Sequence, residues 1–312
     1  TEWIEGRIRS IQSGNSTALF GGVSQGAAEI RKNLGGPYVH RVILLSDGLA
    51  NVGPSQPDDL GRLGAALLKE GVSVSTVGVG TDYNEDLMAN LSQNSDGNTY
   101  FVEDSEDLTR IFGAELGDVL SVVAKQVNLV IECPDGVEPV SVIGREGRIR
   151  GRNVELSLNQ LYGGQEKYAL VEIRIPRAKP GEARELATAR VDYENALTQK
   201  RETANSRVSG RFSENPVEVS ASEQPAVIKT LIINKSALQK EEAIRLGDEQ
   251  KPAAAAAALE TSARDLREAG AKYGDDDLIQ RAADQEEQAE AIRGRGKFDA
   301  SERKAMRASS YQ

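Results

Sequence analysis

The chain has 312 residues, 38 Lys and Arg against 48 Asp and Glu, a net charge of −10, and 39% hydrophobic residues. That composition belongs to a globular protein long enough for about two domains, and an acidic chain with no basic stripe argues against a nucleic-acid binder. One cysteine, Cys133, excludes an internal disulfide and a cysteine metal cluster, one histidine, His40, excludes a His-rich metal site, and no apolar run reaches membrane-spanning length.

The chain opens on TEWIEGRIRSI with Ile4, Ile8 and Ile11 at i, i+4 and i+7, which predicts a helix ending near Gly14 with Trp3 in the core or an interface. No signal peptide is visible, and a start in mid-pattern without Met raises the expectation of a missing N-terminal part. A second helix follows GNST, with Leu19, Val23, Ala27, Ile30 and Leu34 on one stripe. Next comes a strand over 39–46 whose run Val42–Leu45 reads as covered on both faces, as in a parallel sheet. His40, the single candidate for a triad base, also reads as a strand-start or sheet-edge residue.

Asp58 is placed to cap a helix carrying Leu60, Leu63 and Leu67. The β-branched run Val72–Gly80 is a second parallel strand, followed by a helix with Leu87, Met88 and Leu91, and GNTYFVED supplies a third strand. Ser105 then opens a helix with Leu108, Ile111, Phe112 and Leu116. Strand–helix alternation over 1–122 predicts a doubly wound parallel α/β sheet with helices on both faces.

Over 123–221 short alternating strands split by Gly, Pro and Asn turns predict a small antiparallel β-sandwich. Over 222–312 the pattern is helical: Pro252 starts a helix with Leu259, Ala263 and Leu266, and YGDDD precedes one with Leu278, Ala282, Ala289 and Ile292. The narrow, Ala-rich faces suit a packed helical hairpin, and the basic tail GRGKFDASERKAMRASSYQ reads either as a short docking helix or as partly disordered.

The chemistry concentrates at LLSDG, where Asp47 ends an apolar strand, the address at which open parallel sheets bind ligands. A turn or cap aspartate is the plainer reading of the same residue. GNSTAL places Thr17 on a loop that opens a helix. Elsewhere, YGDDDL lacks the spacing of a calcium loop, and its acids suit a helix's first turn. Asp82, Glu85 and Asp86 in GVGTDYNED read first as a loop and helix start and second as auxiliary ligands, and the GVG lacks the third glycine of a dinucleotide fingerprint. Cys133 before Pro134 is a strand-end core residue with nothing near to activate a thiol.

Taken in order, GNSTAL, LLSDG, GVG with its acidic helix start, and YFVEDSEDL resemble the von Willebrand factor type A family over about residues 1–122. The resemblance implies a partial Rossmann-like domain in which Thr17 and Asp47 help bind a divalent cation, Mg²⁺ or in its place Mn²⁺ or Ca²⁺, at a metal-ion-dependent adhesion site. It implies an open coordination position that accepts an acidic side chain from a protein partner, hence adhesion-type recognition rather than turnover. The family's Asp-x-Ser-x-Ser motif is absent from the chain. By family order it precedes residue 1, so the expectation is a truncated domain lacking roughly three strands, with 39–46 an uncovered edge and an incomplete cation site. The later units look like those of bacterial A-domain proteins, which implies an envelope or secreted location. Two alternatives stand beside this reading: a metal-free scaffold that binds through the sandwich and helices, and a hydrolase with Asp47 as nucleophile. The hydrolase lacks a second base nearby in sequence and a Gly-rich phosphate loop with Lys.

Overall fold

The computed structural model describes residues 2–12, 14, 16–34, 38–103 and 106–310. Helix α1 (Glu2–Arg9) ends earlier than Gly14, where the Ser10 hydroxyl donates to the Arg7 carbonyl at 2.7 Å. Its apolar face is not covered: Trp3 is 75% exposed, under the Arg7 guanidinium, and is not a core residue.

Six elements then follow as βα units after helix α2 (Leu19–Arg31): β1 (His40–Ser46), α3 (Pro57–Lys69), β2 (Val72–Val79), α4 (Glu85–Asn94), β3 (Thr99–Val102) and α5 (Leu108–Leu120). The three strands form a parallel sheet in the order β1-β2-β3. One face packs Val72 and Val74 against Leu19, Val23 and Ala27 of α2, Leu60 and Leu67 of α3, and Leu87 and Leu91 of α4. The other face packs Val77 and Val102 under Ile111 of α5. Gly64 brings α3 close to α4, since a Cβ there would lie 2.5 Å from the Leu91 carbonyl oxygen.

Coverage on both faces is found for the central strand β2, buried along nearly its whole length, but not for β1. Among the described residues β1 has β2 as its one strand neighbour. Val42 and Leu44 pack on the core, while Ile43 and Leu45, on the opposite face, are exposed. Helix starts also differ in detail. Gln56 is the N-cap of α3, with Pro57 at its first position and Asp58 in the first turn, where its charge suits the dipole. The start expected at Ser105 lies outside the described residues, and α5 begins after Asp107.

Under this sheet lies a buried carboxylate. Glu115 of α5 accepts from Arg41 at 2.6 Å, Ser75 at 2.8 Å, Asn98 at 2.7 Å and the Tyr100 hydroxyl at 2.8 Å, so one side chain ties all three strands' segments to the helix. Burial opposes its charge, yet the Asn98 bond, the Arg41 charge and the Ser75 and Tyr100 hydroxyls together hold it below the usual range.

The second unit contains β4 (Val122–Glu132), β5 (Glu138–Ile143), β6 (Arg148–Arg150), β7 (Asn153–Tyr162), β8 (Leu170–Arg174), β9 (Ala183–Asn195) and β10 (Arg201–Arg211). Five of them form an antiparallel sheet in the order β10-β9-β4-β7-β6, and β5 pairs with β8 as a separate ribbon. The arrangement is one large sheet with a two-stranded ribbon rather than two matched sheets. Cys133 is buried at the end of β4, as a core residue should be. This unit joins the first where Asp96, with φ at 56°, accepts from the Asn159 amide and Lys167 while Asn159 donates to Ser73 at 2.7 Å.

The remaining chain is helical: α6 (Pro216–Ala221), α7 (Pro225–Asp248), α8 (Pro252–Tyr273), α9 (Asp276–Arg295) and α10 (Ala300–Ser309). Proline at the start of α6, α7 and α8 sets φ where no N–H partner is needed. The Ala-rich stripes interlock through Ala255, Leu259, Ala289 and Ile292 near one end and Ala263, Leu266, Leu278 and Ala282 near the other. The basic tail is a docked helix, started by a capping box between Asp299 and Glu302.

Candidate functional site

All three parallel strands end on one rim, and the loop after β1 carries Asp47. Ser46 is buried, and its hydroxyl spans the turn, donating to the Gly48 carbonyl at 3.1 Å and accepting from the Gly48 amide at 3.4 Å. Asp47 projects outward, exposed, and its carboxylate makes no hydrogen bond or ion pair among the described residues. A turn or cap aspartate would be spent on backbone N–H groups; Ser46 fills that place instead.

Thr17, thirty positions upstream, is brought to the same loop. Its amide donates to the Asn51 side-chain oxygen at 2.7 Å, and its carbonyl accepts from the amides of Asn51 at 3.0 Å and Val52 at 3.3 Å. One asparagine thus grips both sides of the Thr17 peptide, as a neighbouring strand would. The Thr17 hydroxyl rests against Gly48, where a Cβ would approach it to 3.4 Å. Thr17 and the residue next to Asp47 are therefore neighbours, and Asn51 is the part that the sequence pattern did not assign. Its signal was there: an Asn in a loop readily pairs with backbone.

Among the described residues, the donors that the resemblance assigns to this place are the Thr17 hydroxyl and the Asp47 carboxylate. Among the described residues no group of three or more His, Cys, Asp or Glu gathers as a metal site. Hard cations take oxygen ligands, and Mg²⁺ keeps several waters while held by one or two carboxylates, so Thr17 and Asp47 suit such an ion in type.

The acids of the neighbouring loop do not join them. Glu85 is bound by Arg303 and, at 2.6 Å, by Lys304; Asp86 is bound by Arg303 at 3.0 Å and Arg307 at 2.7 Å. Burial works against the Asp86 charge, but the Arg307 and Arg303 guanidiniums hold it below the usual carboxylate range. The reading of Glu85 and Asp86 as auxiliary ligands fails because basic side chains of α10 already occupy both. The loop and helix-start reading holds, since Asn84 caps α4 by accepting from the amides of Asp86 and Leu87.

For a hydrolase, Asp47 would need a base within reach. His40 lies at the other end of the seven-residue strand β1, about 20 Å away at strand rise. Burial and the Lys125 charge also push its pKa down. A polar crevice of about 430 Å³, lined in part by His40, Glu70, Lys125, Asn159 and Glu194, lies at that far end and not on the rim.

The family model described as von Willebrand factor type A domain matches residues 2–114. The Escherichia coli (strain K12) protein YfbK is 29% identical over 147 residues, 46% of this chain and 26% of that protein, so the chain spans about a quarter of this relative. Among solved structures, a von Willebrand factor type A protein from Catenulispora acidiphila superposes with a TM-score of 0.70 at 14% identity, over 87% of this chain and 64% of that one. The ArnB paralog VWA2 from Sulfolobus acidocaldarius follows at a TM-score of 0.53 and 18% identity, over 96% of this chain and 72% of that one. At these identities the likeness is one of fold. It extends beyond the parallel sheet, because a match over 87% of the chain takes in residues well past the first unit.

Proposed function

Residues 2–114 form a von Willebrand factor type A domain, and from that premise we propose that the rim is a divalent-cation-assisted recognition site for an acidic side chain of a protein partner. Domains of this family serve in general as protein-interaction modules. The observation that carries the proposal is the junction of Thr17 with the Asp47 loop: a hydroxyl beside Gly48, next to an exposed carboxylate with no partner among the described residues. Thr17 and Asp47 would hold the ion, which supplies an open coordination position for the partner's carboxylate. Asn51 hydrogen-bonds the Thr17 backbone, and Ser46 closes the turn that carries Asp47. With two protein ligands the affinity is expected to be weak, about millimolar.

Calorimetric titration of Mn²⁺ and Mg²⁺ tests this in the chain and in Thr17→Ala and Asp47→Ala variants. Saturable heat in the parent that disappears in both variants supports the site. No binding in the parent, with the fold intact, sinks the cation and leaves a metal-free recognition surface.

A further inference from the structure

We propose that α10 is a charge-held clasp: its apolar face belongs to the helical unit, its basic face fastens that unit to the rim of the A domain, and the second contact can open without the first. The inference stands apart from the cation reading.

The two faces of α10 differ in kind. Met306 is buried in the core made by Ala243, Ile244, Ala255, Leu259 and Ile292, with Phe298 packed beside it. That contact is apolar and holds α10 on its own bundle. The adjoining face presents Arg303, Lys304 and Arg307 to α4. Lys304, with 5% of its side chain exposed, donates to the Tyr83 carbonyl and to Glu85, both at 2.6 Å, and its ammonium lies 4.3 Å from the centre of the Tyr83 ring. Arg303 reaches Glu85, Asp86 and, at 2.7 Å, Asp248 of α7. Ser301 adds a bond to Glu103 just beyond β3, at 2.7 Å.

Asp248 of α7 apart, the polar and charged groups that the basic face engages lie on the carboxyl-end rim. The basic face also reaches toward Asp47. Gly78 pairs in register with Ser46, and the Tyr83 ring lies on the bare face of Gly78, where a Cβ would fall 2.0 Å from the ring. A line of direct contacts thus runs Lys304, Tyr83, Gly78, Ser46. Charges transfer to water at far lower cost than a buried apolar face does, and the groups at the edge of this cluster, Arg303, Arg307 and Asp86, are 18–25% exposed and already partly wet. Opening should therefore begin at the α4 face and leave α10 seated on the bundle.

Hydrogen exchange read by mass spectrometry on the full chain tests this, comparing the parent with Arg303→Glu/Arg307→Glu. The expected result is exchange roughly tenfold faster or more over 84–89, with peptides of α8 and α9 unchanged. A second pair of variants, Asp86→Arg alone and Asp86→Arg with Arg307→Asp, should open the contact and then reclose it. Unchanged exchange over 84–89 overturns the proposal, because the contact is then not held by charge. Exchange that rises together over 84–89, α8 and α9 overturns it too, because the contact is then part of one cooperative core; so does failure of the swapped pair to restore protection.

Discussion

Two charge clusters involve the α/β unit and are built differently. At Glu115 a single carboxylate is surrounded by one cation and three neutral donors, Ser75, Asn98 and Tyr100, all within 74 residues of it in sequence. At the rim, three carboxylates of Glu85, Asp86 and Asp248 meet three cations of α10 from more than 200 residues beyond Glu85 and Asp86. The first cluster solvates a charge inside one folding unit and vanishes if the strands separate. The second neutralises charges between units, and each unit keeps its own apolar core without it. The first cluster marks where the molecule is one body, the second where two bodies are joined.

The largest effect should follow from breaking the first cluster. Glu115→Ala leaves the Arg41 guanidinium buried without its anion, and removing one partner of a buried pair costs about 3–5 kcal/mol. Urea unfolding reads the loss; a cost below about 1 kcal/mol would mean that Arg41 finds other partners and that the clusters are alike after all.

The same contrast appears in acid. Glu115 and Asp86 both have pKa values below those of the unfolded chain. Their contribution is therefore complete above the unfolded value, about 4.3 for Glu and 3.9 for Asp, and is lost as pH falls from there through the folded values. Stability measured by denaturant at descending pH should drop in that window. In Arg303→Glu/Arg307→Glu the slope should be shallower, because Asp86 loses the guanidiniums that hold its pKa down. A parent whose stability is flat from pH 5 to about pH 3 contradicts both shifts.

Local capping comes next in size. Asn84→Ala removes the acceptor for two amides at the start of α4 and should cost about 1 kcal/mol. The loss should show as faster exchange over α4 with the bundle unaffected. If α9 exchanges faster as well, the rim and the bundle are one cooperative unit and the second cluster is no joint.

How much of this was legible follows the range of the interaction. Strand β2 was readable because Val72, Val74 and Val77 are β-branched and buried on both sides of the sheet. α8 and α9 were readable from Leu259, Leu266, Leu278 and Ile292, whose periodicity is local. β1 carries the same apolar signal as β2, but a run of Val, Ile and Leu does not tell a central strand from an edge, so the exposure of Ile43 and Leu45 was not predictable from the run itself. Trp3 misled for the same reason, since an amphipathic helix does not name what covers it. Glu85 and Asp86 looked like spare acids because their partners stand more than 200 residues away. At the rim, Thr17 and Asp47 were visible as motif positions, whereas the grip of Asn51 on Thr17 depends on two loops meeting and shows only in three dimensions.

The smallest stability effect is expected at the residue with the most at stake. Asp47 is exposed and has no partner among the described residues, while Ser46 closes its turn. Asp47→Ala should therefore change the unfolding free energy by no more than about 0.5 kcal/mol. Asn51→Ala, which removes the acceptor for the Thr17 amide, should cost more, about 1 kcal/mol. The order of these two variants separates the readings of the carboxylate. A turn or cap aspartate would make Asp47→Ala the more damaging, by about 1 kcal/mol. Near-neutral stability together with loss of Mn²⁺ heat means that the side chain is held outward for a ligand and not for the fold.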